Sequence, residues 1–112
     1  MIVRLVRLKF APEHVEAFLD FYTRSEPAIR GQAGCLGLSL LRETGDEAAF
    51  ATWSTWRSGR DLQRYRRSPF FRDFWPAVKA MLCEPAEAVS YETLSGDAIP
   101  HVELQLAAHD AG

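Results

Sequence analysis

Four short stretches of the chain alternate apolar with other residues, and helical repeats follow the first and the third. Residues 2–10, 36–41, 48–56 and 86–94 are rich in leucine, β-branched or aromatic side chains, which predicts four strands. After Pro12, apolar residues recur at the spacing of a helix buried on one side. They are Val15, Phe18, Leu19, Tyr22 and Ile29. Pro27 is expected to kink or interrupt this helix near Ser25.

Two serines mark the later helical region. Ser58 is a favoured N-cap for a helix through Asp61 and Tyr65, and Ser68 with Pro69 predicts that another helix begins there. The order strand–helix–strand–strand–helix–strand predicts an α+β, ferredoxin-like domain over residues 1–94. Its four-stranded antiparallel sheet would carry helices on one face only. The tail, residues 95–112, is expected either to add an edge strand or to be disordered.

The second face of such a sheet needs a cover. We expect it to carry Val3, Leu5, Leu41, Phe50 and Trp56, a patch that monomers rarely leave exposed. Two such faces packed together form a dimeric α/β barrel. The sequence therefore predicts a homodimer.

Composition limits the possible partners. The chain has 112 residues, 47% of them hydrophobic, and a net charge of −2, which gives no electrostatic basis for binding nucleic acid or an anionic membrane. No apolar run approaches the roughly 20 residues of a membrane-spanning helix, and the start does not resemble a signal peptide, so a cytoplasmic protein is expected. Cys35 and Cys83 lack zinc-type spacing and are interpreted as reduced thiols.

Three segments resemble the antibiotic biosynthesis monooxygenase family. Residues 32–40, QAGCLGLSL, are similar to its x-P-G-C-x-G-x-x-L pattern at the start of strand two, with Ala33 in place of the proline. Residues 55–58, TWRS, followed by Asp61 and Leu62, resemble its strand-three ending, and residues 68–71, SPFF, resemble its S-x-x-F helix start. The resemblance implies a homodimer with a pocket between sheet and helices in each subunit. Some members oxidise phenols or quinols with O2 without metal or flavin, and others degrade haem.

The haem-degrading branch uses an asparagine on strand one, the tryptophan that closes strand three and a histidine on the last helix. These positions correspond here to Arg7, Trp56 and Trp75, so only the tryptophan is retained. The missing histidine removes the iron ligand. His14, His101 and His109 also lack metal-ligand spacing, so we expect neither a metal nor another cofactor.

Three residues are candidate catalytic groups. Trp56 is expected at the pocket rim, where its indole could stack on a flat substrate, or it could merely pack at the sheet edge. Tyr65 could hydrogen-bond a phenol or carbonyl, or simply pack its ring. Arg7 shares the face of Val3 and Leu5, and is expected either to enter the pocket and stabilise a phenolate or to form a salt bridge between subunits.

Further residues are candidate substrate contacts. From the last helix these are Phe71, Phe74 and Trp75, and from the strands they are Ser39, Phe50, Thr52 and Ser54. An aromatic stripe at helical spacing more often belongs to the core than to a binding site. Six arginines cluster in the later helical region and suit a solvated surface, an anionic ligand or acidic residues of the partner subunit. They are Arg57, Arg60, Arg64, Arg66, Arg67 and Arg72.

Two functional hypotheses remain open from the sequence. The first is a cofactor-independent monooxygenase that acts on a small aromatic substrate. The second is a non-catalytic dimeric module that binds a small molecule or a partner. A cavity lined by Trp56, Tyr65 and Arg7 favours the first hypothesis, whereas an interior filled by Phe50, Leu5 and Leu41 favours the second.

Overall fold

The computed structural model describes residues 1–96 and contains the predicted order of elements. The strands are β1 (Ile2–Lys9), β2 (Cys35–Arg42), β3 (Ala49–Trp56) and β4 (Glu87–Glu92). The helices are α1 (Val15–Arg30), α2 (Gly59–Arg66) and α3 (Pro69–Lys79), with one 3-10 turn at Pro12–His14. The α+β, ferredoxin-like prediction is therefore confirmed. The alternatives for the tail concern residues that lie almost wholly outside the described range.

The sheet has the strand order β2-β3-β1-β4, and every pairing is antiparallel. The central strand β1 places Leu5 opposite Trp53 of β3 and opposite Val89 of β4. Side chains alternate between the two faces along each strand. This register therefore fixes which residues of different strands share a face.

The core lies between one face of the sheet and the helices. Phe10, at the end of β1, stacks on Phe18 of α1 with ring centroids 4.1 Å apart, and Phe50 packs edge-on against Phe10 at 5.8 Å. All three side chains are at most 4% exposed. These rings hold α1 against the centre of the sheet.

The expected composition of the outer face is correct only in part. Leu5 and Leu41 do lie on the face that carries no helix, together with Val89. Phe50 and Trp56 lie on the opposite, helix-facing side. The reason is the register, since Trp53 rather than Trp56 shares the face of Leu5.

The expected interruption of the first helix at Pro27 is wrong. Helix α1 continues through Pro27 to Arg30, with Gly31 N–H donating to the carbonyl of Pro27 at 3.0 Å. Pro27 lies on the exposed side of the helix and removes one helical hydrogen bond there. Ile29, only 3% exposed, keeps the last turn packed in the core, which compensates for the lost bond.

The predicted cap at Ser58 is present, and Ser68 caps the helix that was predicted to begin there. The Ser58 hydroxyl accepts a hydrogen bond from Asp61 N–H at 3.2 Å, and Ser68 accepts one from Phe71 N–H at 3.2 Å. Each bond satisfies an amide that the first helical turn would leave without a partner. The two caps fix the points at which α2 and α3 begin.

Gly34, just before β2, is held against the start of α2. Its φ of +82° lies in the left-handed region, and its carbonyl accepts a hydrogen bond from Arg57 N–H at 2.8 Å. A Cβ atom at this position would collide with the side chain of Asp61. The absence of a side chain at Gly34 therefore permits the close approach of β2 and α2.

Gly34→Ala should destabilise the protein more than Gly45→Ala does. Gly45 also has a positive φ, +90°, but its missing Cβ would meet open space. We expect Gly45→Ala to lower the free energy of unfolding by about 1–2 kcal/mol, the cost of left-handed backbone in an L residue. Gly34→Ala adds the collision with Asp61 and should cost clearly more in urea unfolding. Equal losses would show that the contact with Asp61 is unimportant.

Candidate functional site

A cavity of about 590 Å³ lies between the helix-facing side of the sheet and the helices. Small-molecule sites usually measure about 300–1,000 Å³, so this volume suits a small ligand. Strands contribute Arg4, Val6, Leu8, Leu38, Thr52, Ser54 and Trp56 to its lining. Helices contribute Phe18, Tyr22, Ile29, Gln63, Tyr65, Arg66, Phe71, Phe74, Trp75 and Val78.

Trp56 forms the back of this site rather than its rim. Its side chain is 0% exposed, and Tyr65 covers it with ring centroids 4.9 Å apart and planes inclined by 20°. The indole Nε1–H donates to the Ser54 hydroxyl at 3.0 Å. The expected rim position of Trp56 is therefore wrong, because Trp56 points towards the helices and Tyr65 lies over it. A ligand would meet Tyr65 first.

Tyr65 is held by aromatic neighbours on both sides. Besides Trp56 it contacts Phe71, whose ring is 5.1 Å away and nearly perpendicular, at 77°. Burial raises the pKa of the Tyr65 phenol, and the nearby Cys35 thiol raises it further. The hydroxyl therefore stays protonated at neutral pH. Tyr65 suits the role of hydrogen-bond donor and not that of a base.

Helix α3 supplies an aromatic wall. Phe71, Phe74 and Trp75 all line the cavity. Phe71 and Trp75 lie nearly parallel with centroids 6.1 Å apart, and Phe74 stacks on Phe21 of α1 at 5.6 Å. The wall is apolar and its rings support one another, which suits a flat aromatic ligand. Contact with a substrate remains a prediction for these three residues.

Arg4 occupies the place expected for Arg7. Arg7 lies on the outer face, exposed, with its Nη1 atom 3.7 Å from Oε2 of Glu87, so its expected entry into the pocket is wrong. Arg4 lines the cavity, and its Nη1 atom donates to the Ser90 hydroxyl at 3.1 Å. Sequence reasoning missed Arg4 because both faces of β1 carry apolar residues. Alternation alone does not reveal which of those faces meets the helices.

The four strand residues proposed as substrate contacts separate into three groups. Thr52 and Ser54 line the cavity. Ser39 is opposite Trp53 and therefore lies on the outer face, away from the cavity, contrary to expectation. Phe50 faces the helices, but it is 4% exposed and belongs to the core around Phe10.

Positive charge is concentrated on one side of the cavity. Burial lowers the pKa of Arg4, and the neighbouring Arg66 lowers it further, because two cations disfavour each other. Arg67 also contributes to the lining, whereas none of the lining residues is a carboxylate. Within residues 1–96, no carboxylate forms an ion pair with Arg4, Arg66 or Arg67. This part of the cavity is therefore suited to an anionic group.

Other kinds of site find no support in residues 1–96. That range contains no group of three or more His, Cys, Asp or Glu side chains arranged to hold a metal ion. None of its helices has both the length and the apolar character needed to cross a bilayer.

Fold and cavity together define a ferredoxin-like α+β domain with an internal site for a small ligand. The family model for antibiotic biosynthesis monooxygenases matches residues 1–77, so the chain belongs to that family. Comparison with curated proteins finds no significant match.

Several solved structures share the fold. Rv0793 from Mycobacterium tuberculosis is 19% identical with a TM-score of 0.78, covering 85% of this chain and 96% of its own. PA3566 from Pseudomonas aeruginosa is 23% identical with a TM-score of 0.73, covering 84% and 94%. A variant of SnoaB from Streptomyces nogalater, described as a cofactor-independent oxygenase, is 17% identical with a TM-score of 0.76, covering 85% and 94%. At these identities the similarity establishes the fold alone.

Ser54→Ala should destabilise the protein through Trp56. The substitution leaves the buried indole N–H without its acceptor, which typically costs about 1–3 kcal/mol. Ser39→Ala removes the same atom on the outer face, away from Trp56, and serves as the matched control. Urea unfolding should show the larger loss for Ser54→Ala. An equal loss in the two variants would contradict the importance of the Trp56–Ser54 bond.

Proposed function

We propose that the protein is a cofactor-independent monooxygenase that oxidises a small phenol- or quinol-type aromatic with O2 inside this cavity. The observation that carries the proposal is the combination of aromatic walls with Arg4, a partly buried cation without a carboxylate partner in the described residues. Family membership and the cofactor-independent oxygenase of the same fold agree with it.

The substrate itself supplies the electrons in the proposed reaction. In its keto tautomer, a phenol- or quinol-type aromatic carries a ring methylene that is acidified by the carbonyl. Loss of one methylene proton gives the enolate, which reacts with O2. The methylene becomes a carbonyl that contains one oxygen atom, and the other oxygen leaves as water with the two methylene hydrogens. All four electrons taken up by O2 come from the substrate, so atoms and electrons balance.

The protein contributes by stabilising the anion and orienting the ring. The Arg4 guanidinium, partly removed from water, attracts the enolate oxygen more strongly than an exposed arginine would. The protonated Tyr65 hydroxyl can donate a hydrogen bond to the same oxygen. The aromatic wall of α3 orients the ring, and the proton passes to water beside Arg66 and Arg67, which line the cavity and are exposed.

A second candidate function is binding without chemistry. It is favoured by one observation, namely that no carboxylate and no histidine among residues 1–96 lines the cavity, so these residues offer no ordinary general base. Substrates of this class are acidic enough that stabilisation of the anion can replace a base. Turnover therefore separates the two functions.

Oxygen uptake with a panel of anthrones and hydroquinones tests the proposal. The purified, metal-free protein should consume O2, and Arg4→Gln should lower kcat/KM about 100-fold, as loss of one oxyanion-stabilising group typically does. Arg7→Gln removes an equal charge from the same strand on the outer face and should leave the rate unchanged.

Two results would contradict the proposed reaction. The first is the absence of uptake across the panel, which would favour binding without chemistry. The second is equal activity of Arg4→Gln and Arg7→Gln, which would separate any observed uptake from this cavity.

We also propose that the outer face of the sheet forms a homodimer interface. Three apolar side chains on it are strongly exposed, Leu41 at 40%, Val89 at 47% and Tyr91 at 52%. They share this face with Leu5, which lies at its centre. Burial of such a patch in a second copy would remove this apolar area from water.

Leu41→Glu should convert the dimer into monomers. The carboxylate would be buried without a partner in the interface, which is strongly unfavourable. Ala17→Glu adds the same charge on the exposed side of α1 and should remain dimeric. Light scattering after size-exclusion chromatography distinguishes the two states. A monomeric wild-type protein would contradict the proposed interface.

A further inference from the structure

One buried polar atom of a cavity-lining residue has no role in the reaction described above. Tyr22 of α1 lines the cavity and is only 3% exposed. Its hydroxyl lacks a hydrogen-bond partner within the part of the chain that the structure describes. A buried hydroxyl without a partner costs about 1–3 kcal/mol, so the free protein retains an unfavourable group at this point.

The surroundings of Tyr22 explain why it remains a donor. Its ring packs against Phe18 at 5.9 Å, within the aromatic core. Burial raises the pKa of the hydroxyl, and the nearby Glu26 carboxylate raises it further, so the hydroxyl stays neutral and keeps its proton. A neutral hydroxyl donates to a carbonyl or phenol oxygen and gains little from an apolar ligand.

Tyr22 and Arg4 approach the cavity from opposite layers. Arg4 extends from the central strand of the sheet, and Tyr22 extends from helix α1, which covers that sheet. Arg4 suits an anionic oxygen, whereas Tyr22 suits a neutral one. A ligand that satisfied both would carry two oxygen functions at different positions of its ring system.

The geometry points to Tyr22 as a specificity-determining residue that binds a second oxygen of the substrate. This inference rests on the proposed function, since it assigns one oxygen, the acidic one, to Arg4. It narrows the substrate class to flat aromatics with a further carbonyl or hydroxyl group that reaches Tyr22. A ring system with only one oxygen would leave the Tyr22 hydroxyl without a partner in the complex as well.

Binding under nitrogen tests this inference without turnover. The probes are 2-naphthol, with one oxygen, and its 1,5-, 2,6- and 2,7-dihydroxynaphthalene relatives, with two, measured by calorimetry. At least one diol should bind the wild-type protein about tenfold more tightly than 2-naphthol. Tyr22→Phe should abolish this preference and leave the affinity for 2-naphthol unchanged. Tyr91→Phe removes the same atom on the outer face and should preserve the preference.

Stability provides a second readout that a purely structural role would not give. Tyr22→Phe removes a hydroxyl without a partner, so the ligand-free variant should be as stable as the wild-type protein or more stable in urea unfolding. A destabilised variant would show that the hydroxyl has a structural partner and would overturn the inference.

The binding outcomes separate this inference from the proposed function. Equal affinity of the wild-type protein for 2-naphthol and every diol, or an unchanged preference in Tyr22→Phe, would overturn the role of Tyr22 alone. Binding with the expected preference but without oxygen uptake would support Tyr22 and overturn only the proposed reaction. Failure to bind any of the four naphthols would overturn the role of Tyr22, whereas oxygen uptake with the anthrone and hydroquinone panel would still decide the proposed reaction.

Discussion

The stacking of Tyr65 on Trp56 is the contact on which the site depends. It joins the last residue of β3 to α2, with 4.9 Å between ring centroids, and the Ser54 hydroxyl fixes the indole from the sheet side. Because Phe71 packs against the same tyrosine, the stack also determines where α3 runs. The helices therefore meet the sheet through large rings at one end, and the space beside those rings becomes the cavity. A smaller residue at either position would allow the layers to close.

The cavity is lined by residues with polar groups that a protein core normally excludes. Arg4 loses hydration while lying near Arg66, and the Tyr22 hydroxyl is buried without a partner in the described residues. Both arrangements oppose folding, since buried charge and unpaired donors are costly. A bound ligand with complementary oxygens would reverse both costs. Such groups are expected where function, rather than stability, determines the sequence.

Local features of the fold could be predicted from the sequence, whereas the relation between strands could not. The cap at Ser58 and the start of a helix at Ser68 depend on residues close together in the chain, so the pattern alone predicted them. Alternation within β3 correctly grouped Thr52 and Ser54 with Trp56. The face of β1 that lies beside these residues is set by the pairing of Leu5 with Trp53. This register is non-local, and the sequence pattern does not reveal it.

Because the register could not be predicted, Arg7 was expected in the cavity instead of Arg4, and Ser39 was expected on the cavity side of the sheet. The continuation of α1 through Pro27 could not be predicted, because it depends on the packing of Ile29 in the core. This packing overrides the local tendency of proline to break a helix.

A crystal structure of the protein with bound 9,10-anthraquinone, the product of anthrone oxidation, would test the central claim most directly. We expect the ring system inside the cavity, against Tyr65 and the aromatic wall of α3, with one carbonyl oxygen within hydrogen-bond distance of the Arg4 guanidinium. Anthraquinone bound on the outer face of the sheet, or a cavity that stays empty when the compound is in excess, would contradict it.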